Sequence, residues 1–269
     1  MLRRTRQFTC VWSAAVAAVA ACSILGTAVQ AASMPHGTFG PVAPGISFLN
    51  VTESTGTMDP LPLYGVPSPF ATGLDFTPTA NFKATASGGG GDITDGQLNF
   101  TILGQDGNGN NVAISSINLS ESGIYDLTGV GTAATQIAVG AILNLTITEI
   151  DGIAVAPILL QKNASLAKNL VATPGDEVDV DWSLNILIDV QAELMALNVP
   201  FTVGATKANV VLNNTLTAIS EAGSTAEVVK TDFVISIVPD PEIVPEPSTL
   251  ALAGLGLCCL ALRRARQEQ

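Results

Sequence analysis

Along most of the chain, apolar residues alternate with Asn, Thr and Ser. Leu98, Phe100 and Ile102 occupy one phase, and Asn99, Thr101 and Leu103 the other. A period near two marks a strand, because successive side chains point to opposite faces. Short runs rich in Ile, Val, Leu, Phe and Thr predict strands at 46–53, 81–86, 97–103, 112–119, 124–127, 136–150, 153–161, 177–190, 201–211 and 228–238. Residues 164–170 and 190–198 read as short helices, too short for α/β crossovers. The Gly- and Asn-rich stretch 105–112 reads as a hairpin connection. Residues 54–80, rich in Pro, Thr and Gly, read as a long surface loop carrying Tyr64 and Phe70, and 88–91 as a second flexible loop. The run 153–160 is apolar on both faces, which predicts a central strand. This pattern predicts an all-β, antiparallel β-sandwich or jelly-roll-like body over 32–243.

The two ends depart from that pattern. Arg3, Arg4 and Arg6 precede an Ala-rich apolar run at 11–25, and Val29-Gln30-Ala31 follows. A basic start, an apolar stretch and small residues before a cut predict a secretory signal helix within 1–31, with signal peptidase cleaving between Ala31 and Ala32. Val19-Ala20-Ala21-Cys22 offers a second reading, lipoprotein processing with acylation at Cys22, which a C-terminal anchor would make redundant. The Arg3-Arg4 pair sits in a poor match to a twin-arginine signal. At the other end, Val244-Pro245-Glu246-Pro247 leads into the apolar segment 248–262, and Arg263, Arg264 and Arg266 follow. As a helix this segment is about 22 Å long at ~1.5 Å per residue, a short transmembrane span that needs its flanks. The three Arg hold its end on the cytoplasmic side and leave the body outside. Pro245 and Pro247 keep the preceding segment extended and readable by a protease.

The tail 244–269 resembles the PEP-CTERM sorting signal, in which a Pro-Glu-Pro motif, a short membrane helix and a basic stop occur in this order. The resemblance implies recognition by an exosortase and delivery to the surface or extracellular matrix of a bacterium that makes extracellular polysaccharide, itself a candidate partner. A permanent C-terminal membrane anchor is the alternative reading of the same helix and basic stop. Both place the body outside the cytoplasm.

Composition narrows what the body can do. The chain is 47% hydrophobic and only 13% charged. Between Ser33 and Val244 there is no Arg and no Cys, one His (His36), and five Lys against 21 Asp plus Glu, a net charge of −16. Thiolate or multi-histidine zinc sites, cysteine nucleophiles and disulfides are excluded within one chain. Such a charge, without Arg, disfavours nucleic acid and phosphate ligands. Gly88 to Gly91 is followed by Asp92, the wrong charge for a phosphate loop. His36 lies near a terminus read as flexible, which disfavours a Ser-His-Asp triad. The expectation is therefore a protein that is not an enzyme and carries no cofactor.

Weaker candidate sites remain. Asp106, Asn108 and Asn110 have the spacing that opens a calcium loop, but Asn111 and Ile117 stand where that loop needs Gly and Glu. Asp92 and Asp95 flank another turn and are further candidate ligands for Ca²⁺. Glu177, Asp179 and Asp181 alternate with Val178, Val180 and Trp182, which predicts three carboxylates on one strand face. Tyr64, Phe70 and Tyr125 are the aromatics to test for sugar contact. Six Asn-x-Ser/Thr triplets are not read as glycosylation sites beside a bacterial sorting signal. The expectation is an exported, non-enzymatic surface or matrix protein. The alternatives are a carbohydrate- or calcium-binding module and, last, a carboxylate-based glycan hydrolase.

Overall fold

The computed structural model describes residues 32–42, 45–171 and 175–239. The signal segment with Ala31, the sorting motif, the membrane segment and the basic tail lie outside the described residues. Among those described, twelve strands and one helix follow in order. They are β1 (Ala32–Val42), β2 (Ile46–Thr55), β3 (Ser68–Phe70), β4 (Gly73–Phe76), β5 (Lys83–Ser87) and β6 (Gly91–Gly104). Then come β7 (Ile114–Gly129), β8 (Gln136–Ile150), β9 (Ile153–Asn169), β10 (Glu177–Asp189), α1 (Val190–Ala196), β11 (Ala205–Ile219) and β12 (Ser224–Pro239).

The strands form two antiparallel sheets. The first has the order β1-β2-β6-β11-β8-β9; the second runs β10-β7-β12-β4-β3, with β5 also paired to β12. Inward residues of both sheets make one apolar core, with Leu98, Phe100 and Leu212 from the first sheet and Leu119, Val228 and Phe233 from the second. The alternation seen in the sequence persists through β6, where Leu98, Phe100 and Ile102 are buried and their neighbours are not. β8 and β9 are joined by Asp151 (φ 53°) and Gly152 (φ 76°), a two-residue turn whose positive φ values match the twist of a hairpin. Asp151 also accepts the backbone N–H groups of Thr202, Val203 and Gly204 at 2.7–2.8 Å, tying the loop before β11 to this turn. At α1, Asp189 caps the helix by accepting the Ala192 N–H at 2.9 Å.

Several sequence expectations change. The predicted strands 112–119 and 124–127 are one strand, β7. β1 was not expected, and it removes His36 from a flexible terminus: its side chain is only 3% exposed. Residues 164–170 are not helical. Up to Asn169 they continue β9, with Ala164 paired to Ala141 and Leu166 to Val139. Ladder pairing and the half-burial of Ala164 and Leu166 override a favourable helix composition. β9 is an edge strand, not a central one, and Ile153 and Leu159 are 69% and 65% exposed. The stretch 54–80 is not a simple surface loop: it carries β3 and β4 and buries Leu63, Tyr64, Leu74 and Phe76 completely.

Candidate functional site

Two features stand out, one on the surface and one in the core. On the outer face of the first sheet, cross-strand rows run through β6, β11, β8 and β9. Asn99, Val211, Asn144 and Gln161 form one row; Thr101, Asn209, Thr146 and Leu159 form the next. The side chains bond to one another: Gln97 to Asn213 at 2.8 Å, Thr101 to Asn209 at 2.8 Å, and Gln161 to Asn144 at 2.6 Å. Asp95 stands at one end of these rows and the Lys207–Glu149 pair (3.0 Å) at the other. Between them the outward positions of β6, β11, β8 and β9 carry no charge. A shallow groove on this face is lined by Gly140, Ser165, Ala167, Thr215 and Thr217. Asp75, Asp126, Asp181, Glu227 and Asp232, by contrast, lie on strands of the second sheet.

The core holds charged residues that the alternation pattern would assign to apolar positions. Glu121 of β7 and Lys230 of β12 form an ion pair with both side chains 0% exposed. Lys230 is diagonal to Glu121 because a bulge after Lys230 shifts the β12–β7 register. The bulge lets both Lys230 and Phe233 face inward. The Lys230 ammonium lies 4.7 Å from the Phe82 ring centroid, 5.3 Å from Phe233 and 5.6 Å from Tyr64, within cation–π range. Asn214 of β11 joins from the opposite sheet. Its Nδ2 donates to Glu121 Oε2 at 2.9 Å and Oε1 at 3.2 Å. The Tyr64 hydroxyl is shared between Asn214 Oδ1 at 2.9 Å and the Gly96 carbonyl at 3.1 Å. Gly96 leaves room for the rings: a Cβ there would stand 2.9 Å from Phe82 and 3.1 Å from Tyr64.

Tyr64 is placed by a second buried acid. Glu53 accepts the backbone N–H groups of Leu63 at 2.9 Å and Tyr64 at 3.0 Å, while His36 Nε2 faces it at 3.3 Å. Burial, reinforced by the charges of Glu121 and Glu53, pushes the Tyr64 phenol well above its ordinary pKa. Burial lowers the pKa of the Lys230 ammonium, and Glu121 opposes that shift.

The residues picked out from sequence are not brought together. Asp92 and Asp95 lie at the start of β6 and Asp106 beyond its end, roughly 40 Å apart at ~3.3 Å per residue. Asp92 accepts the Thr85 N–H at 2.8 Å, and Asp95 accepts those of Gly56 and Thr57 at 2.9 and 2.8 Å. Asp106 takes the N–H groups of Asn108 and Asn110 and the Asn110 side-chain amide, each at 2.8 Å. The Asn110 bonds, chiefly, hold the Asp106 carboxyl below its usual range. Asp92 thus ties β6 to β5, Asp95 holds the loop after β2 and Asp106 closes a turn, and among the described residues no three His, Cys, Asp or Glu side chains group to hold a metal ion. Glu177, Asp179 and Asp181 do not share a face. A bulge between Glu177 and Val180, with Asp179 at φ 53°, turns Glu177 toward the buried Tyr125. Burial and then the hydrogen bond with Glu177 push the Tyr125 phenol up to about 12. Tyr125 is 2% exposed, so it offers no platform, and Tyr64 is buried; Phe70 is 39% exposed. The sequence reading missed Glu53, Glu121, Asn214 and Lys230. The signal was there: each sits in the apolar phase of an alternating strand.

The model for the PEP-CTERM protein-sorting motif matches residues 244–266. The chain carries a PEP-CTERM sorting motif. Such a motif implies export and association with the surface through sorting. No curated protein matches the chain. Among solved structures, TmCBM61 in complex with β-1,4-galactotriose is similar at 7% identity and a TM-score of 0.22, over 78% of this chain and 90% of that one. The enzymatically active domain of tailspike protein 4 from bacteriophage CBA120 matches at 14% identity and a TM-score of 0.17, over 72% of this chain and 19% of that one. The VP2 subviral particle of infectious bursal disease virus matches at 13% identity and a TM-score of 0.20, over 79% and 60%. Likenesses this weak carry no functional argument.

Proposed function

We propose that this protein is a non-enzymatic component of the bacterial surface or extracellular matrix, exported by its N-terminal signal and handed to an exosortase by its PEP-CTERM tail. The observation that carries the reading is the motif at 244–266. The body supports it with an all-β, antiparallel fold and a chemistry poor in catalytic groups. Its one His lies in the core against Glu53. Its candidate calcium carboxylates are engaged by backbone donors, so the reading invokes no cofactor. The test is mass-spectrometric mapping of the mature ends in membrane and extracellular fractions of the producing cells. The expected species begins at Ala32 and lacks the segment after about Pro247. An intact tail confined to the membrane fraction would replace exosortase handling with a permanent anchor. Glycan turnover by the purified protein would overturn the non-enzymatic reading.

The uncharged outer face of the first sheet favours one refinement, contact with a neutral extracellular polysaccharide. Rows of amides and hydroxyls offer hydrogen bonds to sugar hydroxyls, and charge is kept at the ends of the rows. Retention on a neutral glycan column should be insensitive to salt and should fall when Asn144 and Asn213 are both replaced by Ala. Retention that disappears with salt, or is unchanged in that variant, would remove this refinement.

A further inference from the structure

We propose that Lys230, Asn214 and Glu121 form a self-modifying site, at which the Lys230 amine displaces ammonia from the Asn214 side chain and covalently joins the two sheets. A nucleophile, an electrophile and a proton carrier are held together in the core. Lys230 and Asn214 Nδ2 are both bonded to one oxygen, Glu121 Oε2. All three residues are at most 1% exposed, whereas the Lys83, Lys162 and Lys207 side chains are 48%, 49% and 37% exposed.

The chemistry balances without a cofactor or redox partner. Glu121 takes a proton from the Lys230 ammonium and leaves a neutral amine. Burial favours this transfer, since two charges in low dielectric become none. The amine nitrogen attacks Asn214 Cγ. Negative charge then develops on Oδ1, where the Tyr64 hydroxyl already donates at 2.9 Å. Glu121 passes its first proton to Nδ2 and takes a second from the attacking nitrogen as the Nζ–Cγ bond forms. The Cγ–Nδ2 bond breaks, and the ammonia released takes that second proton and departs as ammonium, restoring the carboxylate. Glu121 touches both reacting groups and is the general acid and base. Tyr64 supplies the oxyanion donor. Glu53 is a positioning residue: it holds the Tyr64 backbone N–H at 3.0 Å. The effective concentration of amine at the amide is set by the fold, which lets an otherwise unreactive carboxamide react.

The product joins β11 of one sheet to β12 of the other. It is an inter-sheet cross-link for a body that has no Cys between Ser33 and Val244. The inference does not depend on how the tail is processed.

The test is peptide mapping of the mature protein recovered from producing cells, denatured and digested after Glu. Cleavage at Glu193, Glu221, Glu227 and Glu242 separates Asn214 and Lys230 into fragments 194–221 and 228–242. The expected result is one branched species, lighter than the two fragments together by one ammonia, with fragmentation placing the branch on Lys230 and Asn214. Asn214→Asp should give the same branch with loss of one water instead. Glu121→Gln, checked for native far-UV circular dichroism, should lose the branched species and return two linear fragments. Lys230→Met should do the same. Unmodified linear fragments from the wild-type protein would overturn the proposal. A branch that persists in Glu121→Gln would overturn the role given to Glu121.

Discussion

Glu121 and Lys230 show what one buried charge does to its neighbours. Removing one partner strands the other in the core, so Glu121→Ala should cost about 3–5 kcal/mol in denaturant unfolding. Replacing both, as Glu121→Leu with Lys230→Met, should restore most of that loss, because no charge is left to desolvate. Both variants lack the proposed cross-link, so the comparison that isolates the ion pair is Glu121→Ala against the double variant, not against cross-linked wild-type protein. Tyr64→Phe leaves Asn214 Oδ1 without its donor and should cost about 1–3 kcal/mol. Titration behaves differently at the two ends of the pH scale. Tyr125 is raised to about 12 in the folded protein. Its contribution is complete below the unfolded value near 10 and is lost as pH rises toward 12, so the melting temperature should fall across that window. Tyr125→Phe should flatten the fall. Asp151 runs the other way. Burial raises its pKa, but the N–H groups of Gly204, Thr202 and Val203 outweigh burial and leave it lowered. Its contribution is present above about pH 4 and is lost as pH falls below that. Asp151→Asn should therefore weaken the protein at neutral pH and blunt its acid sensitivity.

At the scale of the element, close backbone approach sets the strictest limits. A Cβ at Gly123 would stand 1.9 Å from the Val229 carbonyl and 2.8 Å from the Trp182 ring. The carbonyl belongs to the β7–β12 ladder and cannot move without breaking it. Gly123→Ala should therefore lower stability by more than the ~1–3 kcal/mol typical of an overpacked core, read as a lower midpoint in urea. The elements were mostly legible in the sequence where alternation is long: 136–150 coincides with β8, and 190–198 contains α1. Legibility failed where partners decide. Residues 164–170 have helix-forming composition, yet β8 offers them a complete ladder. β1 hides in Pro- and Gly-containing sequence, and pairing with β2 makes it a strand despite irregular register. At 177–181 a bulge inserts one residue and moves Glu177 off the face that strict alternation assigns it.

For the whole molecule, charge and destination belong together. With a pI near 4.3, the chain carries a strong net negative charge at neutral pH and repels its own kind. The processed body, without the six terminal Arg, should pass through a solubility minimum below the full chain's pI of 4.3, read by light scattering at low salt. The sequence by itself determined that the protein carries a sorting signal, which implies export and association with the surface. Sorting signals are read as short linear strings, so 244–266 is recognisable without the rest of the fold. It also determined the all-β class, because alternation is a property of neighbours in the chain. Only the tertiary structure decided which residues meet. Glu53, Glu121, Asn214 and Lys230 are far apart in the sequence, where the apolar phase marks each as inward but not which of them touch. Strand pairing and the bulge after Lys230 bring Asn214 and Lys230 onto the Glu121 carboxylate, with Glu53 fixing the tyrosine beside them. Contacts between sheets depend on register and on which strands are neighbours, and neither is written in local periodicity.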